Sequence, residues 1–126
     1  MGQSNGPNLM KSNVERLLPS INTIAQHENS VLLSLIINSD LRCFKGHFDD
    51  VAVVPGVVQL DWAIAFAKEY LSMQGDVQDV SVLKFQKLLL PDMNVQLEIV
   101  RKSPQKFSFS YYLHDDKFSS ARVEFA

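Results

Sequence analysis

Few features of this chain could tie it together covalently or anchor it elsewhere. Its one cysteine, Cys43, excludes an intrachain disulfide and leaves no partner for a Cys-based metal site, which points to a reducing compartment such as the cytoplasm. A basic surplus is also missing. Twelve Lys and Arg stand against 14 Asp and Glu, a net charge of −2, so there is no global positive field to hold nucleic acid. Long apolar runs are absent too. The most apolar stretch, residues 51–67, is broken by Pro55, Gly56, Gln59 and Asp61, and is too short and polar to span a bilayer. Residues 1–11 contain only Leu9 and Met10 as an apolar pair, so a signal peptide's apolar core is lacking. Gly6 stands where a myristoylation signal would need Ser or Thr. With no Cys or His pair at ligand spacing, and no glycine-rich phosphate loop opening a helix, neither a metal nor another cofactor is expected. What remains is 126 residues, 46% hydrophobic, enough for one compact core and not for two.

Along the chain, residues 1–12 read as a flexible lead-in and 13–126 as one domain. Two β-rich runs, 21–26 and 30–38, flank His27-Glu28-Asn29 and read as strands joined by a turn. The second is apolar at almost every position, which predicts cover on both faces. From Val57 to Leu71 the chain is rich in Ala, Leu, Ile, Phe and Lys and free of Pro and Gly, which predicts a helix. Its apolar residues run nearly all the way round, so it is expected to be wrapped by other structure. Four alternating runs follow: Val80, Val82 and Lys84 alternate against Ser81, Leu83 and Phe85, and three more, centred on Val95–Ile99, Phe107–Leu113 and Ala121–Phe125, each have one apolar face. Breaks at Ser103-Pro104 and Asp115-Asp116 are short enough for hairpins. The layout is α+β, an antiparallel sheet curving around one long helix.

Within 57–67 the only polar side chains are Gln59 and Asp61. A buried, unpaired carboxylate costs several kcal/mol if it stays ionised, so such a group is paired, protonated or kept for a function. Asp61 alone fits equally well a partly exposed residue near the helix start, favoured by the dipole. Its neighbours add chemistry. His47, in Gly46-His47-Phe48, lies fourteen positions earlier, and histidine is the residue type whose ordinary range near neutrality suits a base. Pro55-Gly56 lies between them and brings a bare backbone N–H to the helix start, where unpaired donors and the dipole suit a developing oxyanion. Each element alone also fits an ordinary loop or turn. Together they place a base, an oxyanion site and an acid within fifteen residues.

The run Cys43-Phe-Lys-Gly-His-Phe-Asp-Asp-Val-Ala-Val-Val-Pro-Gly-Val-Val-Gln-Leu-Asp61 resembles the signature of the 3-hydroxyacyl-acyl-carrier-protein dehydratases. The family pattern is Gly-His-Phe, then Pro-Gly-x-Pro, then Pro-Gly, with an acid fourteen positions after the histidine. Every spacing is kept. The acid is Asp, as in the hydroxydecanoyl type, and Pro55-Gly-Val-Val-Gln-Leu-Asp-Trp62 is most similar to the small dehydratases of aryl polyene gene clusters. The likeness continues at Val82-Leu-Lys-Phe-Gln86 through Pro91. Two departures stand out: Asp49-Asp50 replace the usual Pro-Gly and Ala52 the second Pro. The extra carboxylates, if they approach the imidazole, favour its charged form and weaken it as a base.

The resemblance implies a hotdog fold and dehydration of 3-hydroxyacyl thioesters on acyl carrier protein to trans-2-enoyl thioesters, in fatty acid or polyene-type lipid synthesis. It implies that His47 removes the α-proton, the Gly56 N–H holds the thioester oxygen, and Asp61 protonates the departing hydroxyl. The acid must keep its proton near neutrality, which burial among Val57, Val58, Trp62 and Ala65 would favour. In the family the histidine of one subunit works with the acid of the other, so a homodimer is expected. Phe48, Val54, Trp62, Phe66 and Phe85 are the expected lining of the acyl tunnel, although simple core packing would account for each of them. Arg42, Lys45, Lys84 and Lys87 could steer the acidic carrier protein. The competing readings are a hotdog acyl thioesterase and a non-catalytic acyl-carrier-binding protein of the same fold.

Overall fold

The computed structural model describes residues 16–45 and 52–126. Gly46 to Val51, and with them the expected base His47 and the expected lining residue Phe48, lie outside the described residues.

Among the described residues six strands form one antiparallel sheet that packs on one α-helix: β1 (Ser20–Gln26), β2 (Ser30–Ile36), α1 (Gly56–Leu71), β3 (Val77–Phe85), β4 (Asn94–Ser103), β5 (Lys106–Leu113) and β6 (Asp116–Phe125). The spatial order is β1-β2-β4-β5-β6-β3. The hairpins expected at Ser103-Pro104 and Asp115-Asp116 join β4 to β5 and β5 to β6. β3 leaves the helix and crosses to the far side of this meander, where it pairs with β6 and forms an edge. Gly75 makes the reversal before it, with φ of +109° and the Ala126 oxygen 3.2 Å from where a Cβ would sit.

Alternation along the strands builds the inner face. Leu33, Leu97, Tyr111 and Ser119 are successive partners across β2, β4, β5 and β6, and all four are buried. Val31, Ile99, Phe109 and Ala121 form the next row. α1 packs on this face chiefly over β2 and β4, burying Trp62, Ala63, Phe66, Ala67 and Leu71.

Two expectations need correction. β2 alternates buried with half-buried residues instead of being covered on both faces, because only the helix side meets the core. The helix is not enclosed all round within one chain: Val57 is 64% exposed, and Asp61, Lys68 and Glu69 face outward. Its sequence is more apolar than its own chain requires.

The helix ends where Ser72 turns left-handed at φ 54° and its N–H bonds back to the Ala67 carbonyl. Arg101 from β4 finishes the terminus. Its Nη1 donates to the Leu71 carbonyl at 2.6 Å, while Nη2 and Nε reach Glu28 O at 3.0 Å and Asn29 Oδ1 at 3.1 Å in the β1–β2 turn.

Candidate active site

The chain enters α1 through an extended segment, Val54 to Pro55. The Val54 N–H donates to the Leu89 carbonyl at 2.8 Å, and the Pro55 carbonyl takes the N–H groups of Val58 and Gln59 at 3.0 and 3.1 Å. Proline suits this place because the first turn needs no N–H from it and its φ of −59° is already near helical. Nothing among the described residues accepts from the N–H groups of Gly56 and Val57, which point off the helix start with the dipole behind them. Gly56 has a packing reason as well, since the Phe85 ring lies where its Cβ would be.

Asp61 is exposed in the single chain, contrary to the burial expected for an acid in an apolar helix. The polar residue the core does bury is Gln59, at 3% exposure. Two positions apart on a helix means about 200° of rotation, so one of the pair faces the sheet while the other faces out.

Asp61 lines an open groove of about 640 Å³ with Pro55, Val58, Trp62 and Ala65 from the helix side, Leu17 and Leu18 from the leading segment, and Arg42, Cys43 and Lys45 from the 3₁₀ turn and the residue after it. The leading segment is tied down. Trp62 Nε1 donates to the Leu17 carbonyl at 3.0 Å, and the Arg42 N–H to the Arg16 carbonyl at 2.7 Å. Burial raises the Cys43 thiol above its usual range, so it faces the groove as a neutral thiol near neutrality.

The other expected lining residues are dispersed. Trp62 is buried at its base yet borders the groove, whereas Val54 and Phe66 are packed in the core and do not border it. Phe85 stands on β3 against Gly56, 55% exposed. Of the basic residues, Arg42 and Lys45 lie on the groove, while Lys87 pairs with Asp116 elsewhere on the surface.

Sequence reasoning missed Leu17 and Leu18, which gave no periodic signal, and it gave Gln59 no chemistry, only a hydrogen bond within the helix start or to the neighbouring loop. The bond to the loop is there, at the Val54 carbonyl, but the partners on the sheet were missed. Ser119 Oγ donates to Gln59 Oε1 at 2.5 Å, Gln59 Nε2 donates to the Val54 carbonyl at 3.1 Å, and the Tyr111 hydroxyl donates to the Gln59 carbonyl at 2.6 Å. Two buried polar residues on adjacent strands were the available signal, but only the strand register reveals that they lie opposite each other.

No group of three or more His, Cys, Asp or Glu capable of holding a metal occurs among the described residues, and no described helix is long and apolar enough to cross a membrane.

Comparison with solved structures sets this geometry in context. A dehydratase heterocomplex, ApeI:P from Xenorhabdus doucetiae, contains a chain 25% identical, with a TM-score of 0.76 over 84% of this chain and 96% of that one. An uncharacterized protein from Erwinia carotovora subsp. atroseptica is 28% identical, with a TM-score of 0.68 over 83% and 90% of the two chains. The dehydratase domain of a mycocerosic acid synthase-like polyketide synthase matches at 24% identity and a TM-score of 0.61, over 88% of this chain and 40% of that one, a likeness of fold alone. These matches make the architecture a hotdog fold. No curated protein matches the chain. The family model described as ApeI dehydratase matches residues 23–122, a span that includes the helix, Asp61 and the greater part of every strand, and the chain therefore belongs to the ApeI-like dehydratases.

Proposed function

We propose that the protein dehydrates 3-hydroxyacyl thioesters carried on acyl carrier protein, giving trans-2-enoyl thioesters for polyene-type or fatty acid synthesis in the cytoplasm. The observation that carries this reading is an outward carboxylate, Asp61, on the wall of a groove beside the Pro55-Gly56 elbow, in a chain of a dehydratase family. His47 takes the α-proton, and the Gly56 N–H bonds the thioester oxygen as charge moves onto it. The Cβ–O bond then breaks as Asp61 protonates the leaving hydroxyl, so one water departs and a C=C bond remains. The acyl chain lies along Val58, Trp62 and Ala65, with Leu17 and Leu18 as the opposite wall; Phe48 and Phe85 complete it. Arg42 and Lys45 at the rim meet the acidic carrier. Residues 13–126 form the catalytic domain, and 1–12 are its lead-in.

The active unit is a homodimer. Asp61 and Val57 are uncovered in one chain, and Val77, Val82, Leu83 and Phe85 expose apolar surface along the edge strand β3. A second copy seated there would cover both regions and bring its His47 to this Asp61. The Xenorhabdus doucetiae relative was solved as a heterocomplex, so the mass of the purified protein also tests the second subunit's identity.

Incubation with 3-hydroxyacyl-carrier protein, followed by mass spectrometry of the carrier, tests the reaction. Loss of one water is expected, and release of free acid would favour a thioesterase instead. Asp61→Asn and His47→Ala should each lower the rate by about 10²- to 10⁴-fold. Wild-type rates in either variant would remove that residue from the mechanism.

A further inference from the structure

The elbow that presents Gly56 is latched to the sheet by a side chain outside the reacting groups. We propose that Gln59 is a positioning residue for the dehydration, holding the Val54–Gly56 elbow and the rotation of α1 through Ser119 and Tyr111. The proposal rests on the reaction assigned above.

Gln59 and Ser119 are both buried, at 3% and 1% exposure, in a core otherwise filled by hydrocarbon and aromatic side chains. A helix needing only to pack would carry Leu or Met at this position. The amide instead spans two structures. Its oxygen accepts from the Ser119 hydroxyl on β6, which turns the NH₂ end toward the Val54 carbonyl, two residues before Gly56. That bond joins the helix's fourth residue to the strand-like entry and so fixes the direction in which the Gly56 N–H points. The Tyr111 hydroxyl holds the main chain of the same residue, and Tyr111 faces Ser119 directly across β5 and β6. Since Gln59 and Asp61 lie about 200° apart on the helix, pinning the first inward also aims the second outward into the groove.

The test is the double variant Gln59→Met with Ser119→Ala, compared with each single variant and the wild type. Each single variant strands a buried polar group and should lower the melting temperature. The double variant removes the stranded Ser119 hydroxyl or Gln59 amide oxygen of the single variants but still leaves the Val54 carbonyl without its donor, so it should recover part of that loss. Its kcat for 3-hydroxyacyl-carrier protein should nevertheless fall at least about tenfold with KM within about twofold. Amide hydrogen exchange at Val54 and Val58, whose N–H groups are bonded to the Leu89 and Pro55 carbonyls on either side of the elbow, should quicken in parallel. Unchanged exchange would overturn the latch whatever the wild type does to the thioester, and faster exchange with wild-type kcat would overturn the positioning role. A wild type that dehydrates nothing would sink the assigned reaction, and exchange alone would then decide whether the latch exists.

Discussion

At the scale of single residues, position along the helix and position in the fold diverge most sharply at Gln59 and Asp61. Both are polar interruptions in an apolar run, yet the sheet takes one and leaves the other in the groove. Tyr111, which bonds the Gln59 carbonyl, carries a consequence that can be measured without substrate. Its complete burial pushes the phenol well above its ordinary value of 10.0, so the folded protein keeps that proton where the unfolded chain loses it. A raised folded value means that stability is intact below about pH 10 and falls as the pH climbs past it, because the unfolded state there binds fewer protons. Tyr111→Phe forfeits the hydroxyl's bond and should cost about 1 kcal/mol at neutral pH. It also removes the titration. Urea midpoints measured from about pH 8 to pH 11 should show the two proteins separated at the low end and converging at the high end, by up to about 1.4 kcal/mol per pH unit. Parallel curves would mean the Tyr111 phenol ionises as readily folded as unfolded.

At the scale of elements, period decides what can be read from sequence. The three strands β4, β5 and β6 with one apolar face, a hairpin around His27-Glu28-Asn29, and a helix following Pro55-Gly56 all follow from alternation, turn residues and composition, and all occur, whereas β3 forms as a strand but is exposed at every position but Val80. Pairings between distant segments carry no such signal. Nothing in β3 says that it will pass β4 and β5 to pair with β6, and nothing in β4 says that Arg101 will cap α1. Arg101 is a cation at the negative end of the helix, and it donates to the carbonyl of Leu71 there and to that of Glu28 in the β1–β2 turn. Arg101→Met keeps the stem and removes the fork, which should cost about 2–3 kcal/mol and lower the melting temperature by roughly 5–10 °C. The site should hardly notice. Leu71 is ten residues beyond Asp61, about 15 Å along the helix axis, so the rate per folded molecule is expected to stay within about twofold. A large loss of rate in folded Arg101→Met would show that the helix moves as a rigid rod about that cap.

At the scale of the whole molecule, one chain supplies a fold but leaves its candidate acid in the open. The sequence carries that excess plainly, since residues 57–67 are more apolar than one sheet can cover, and reading them as enclosed overestimated what the chain's own sheet covers. The edge strand has the same character. Exposed edges are usually blunted by charge or proline, yet β3 shows Val77, Val82, Leu83 and Phe85 to solvent, with a register shift between Ser81 and Lys84 and Val82 at φ 52°. Phe85 connects that edge to the chemistry because its ring rests on Gly56, so whatever docks on β3 arrives beside the helix start. Leu83→Glu places a carboxylate in the middle of this edge without touching the core, as Leu83 is 46% exposed in the single chain. It should leave the circular dichroism spectrum unchanged, halve the mass measured by light scattering, and abolish dehydration, because each Asp61 would lose the other chain's His47. A monomer of Leu83→Glu that still dehydrates at the wild-type rate would place base and acid within one chain, and β3 would then need another explanation for its bare apolar edge.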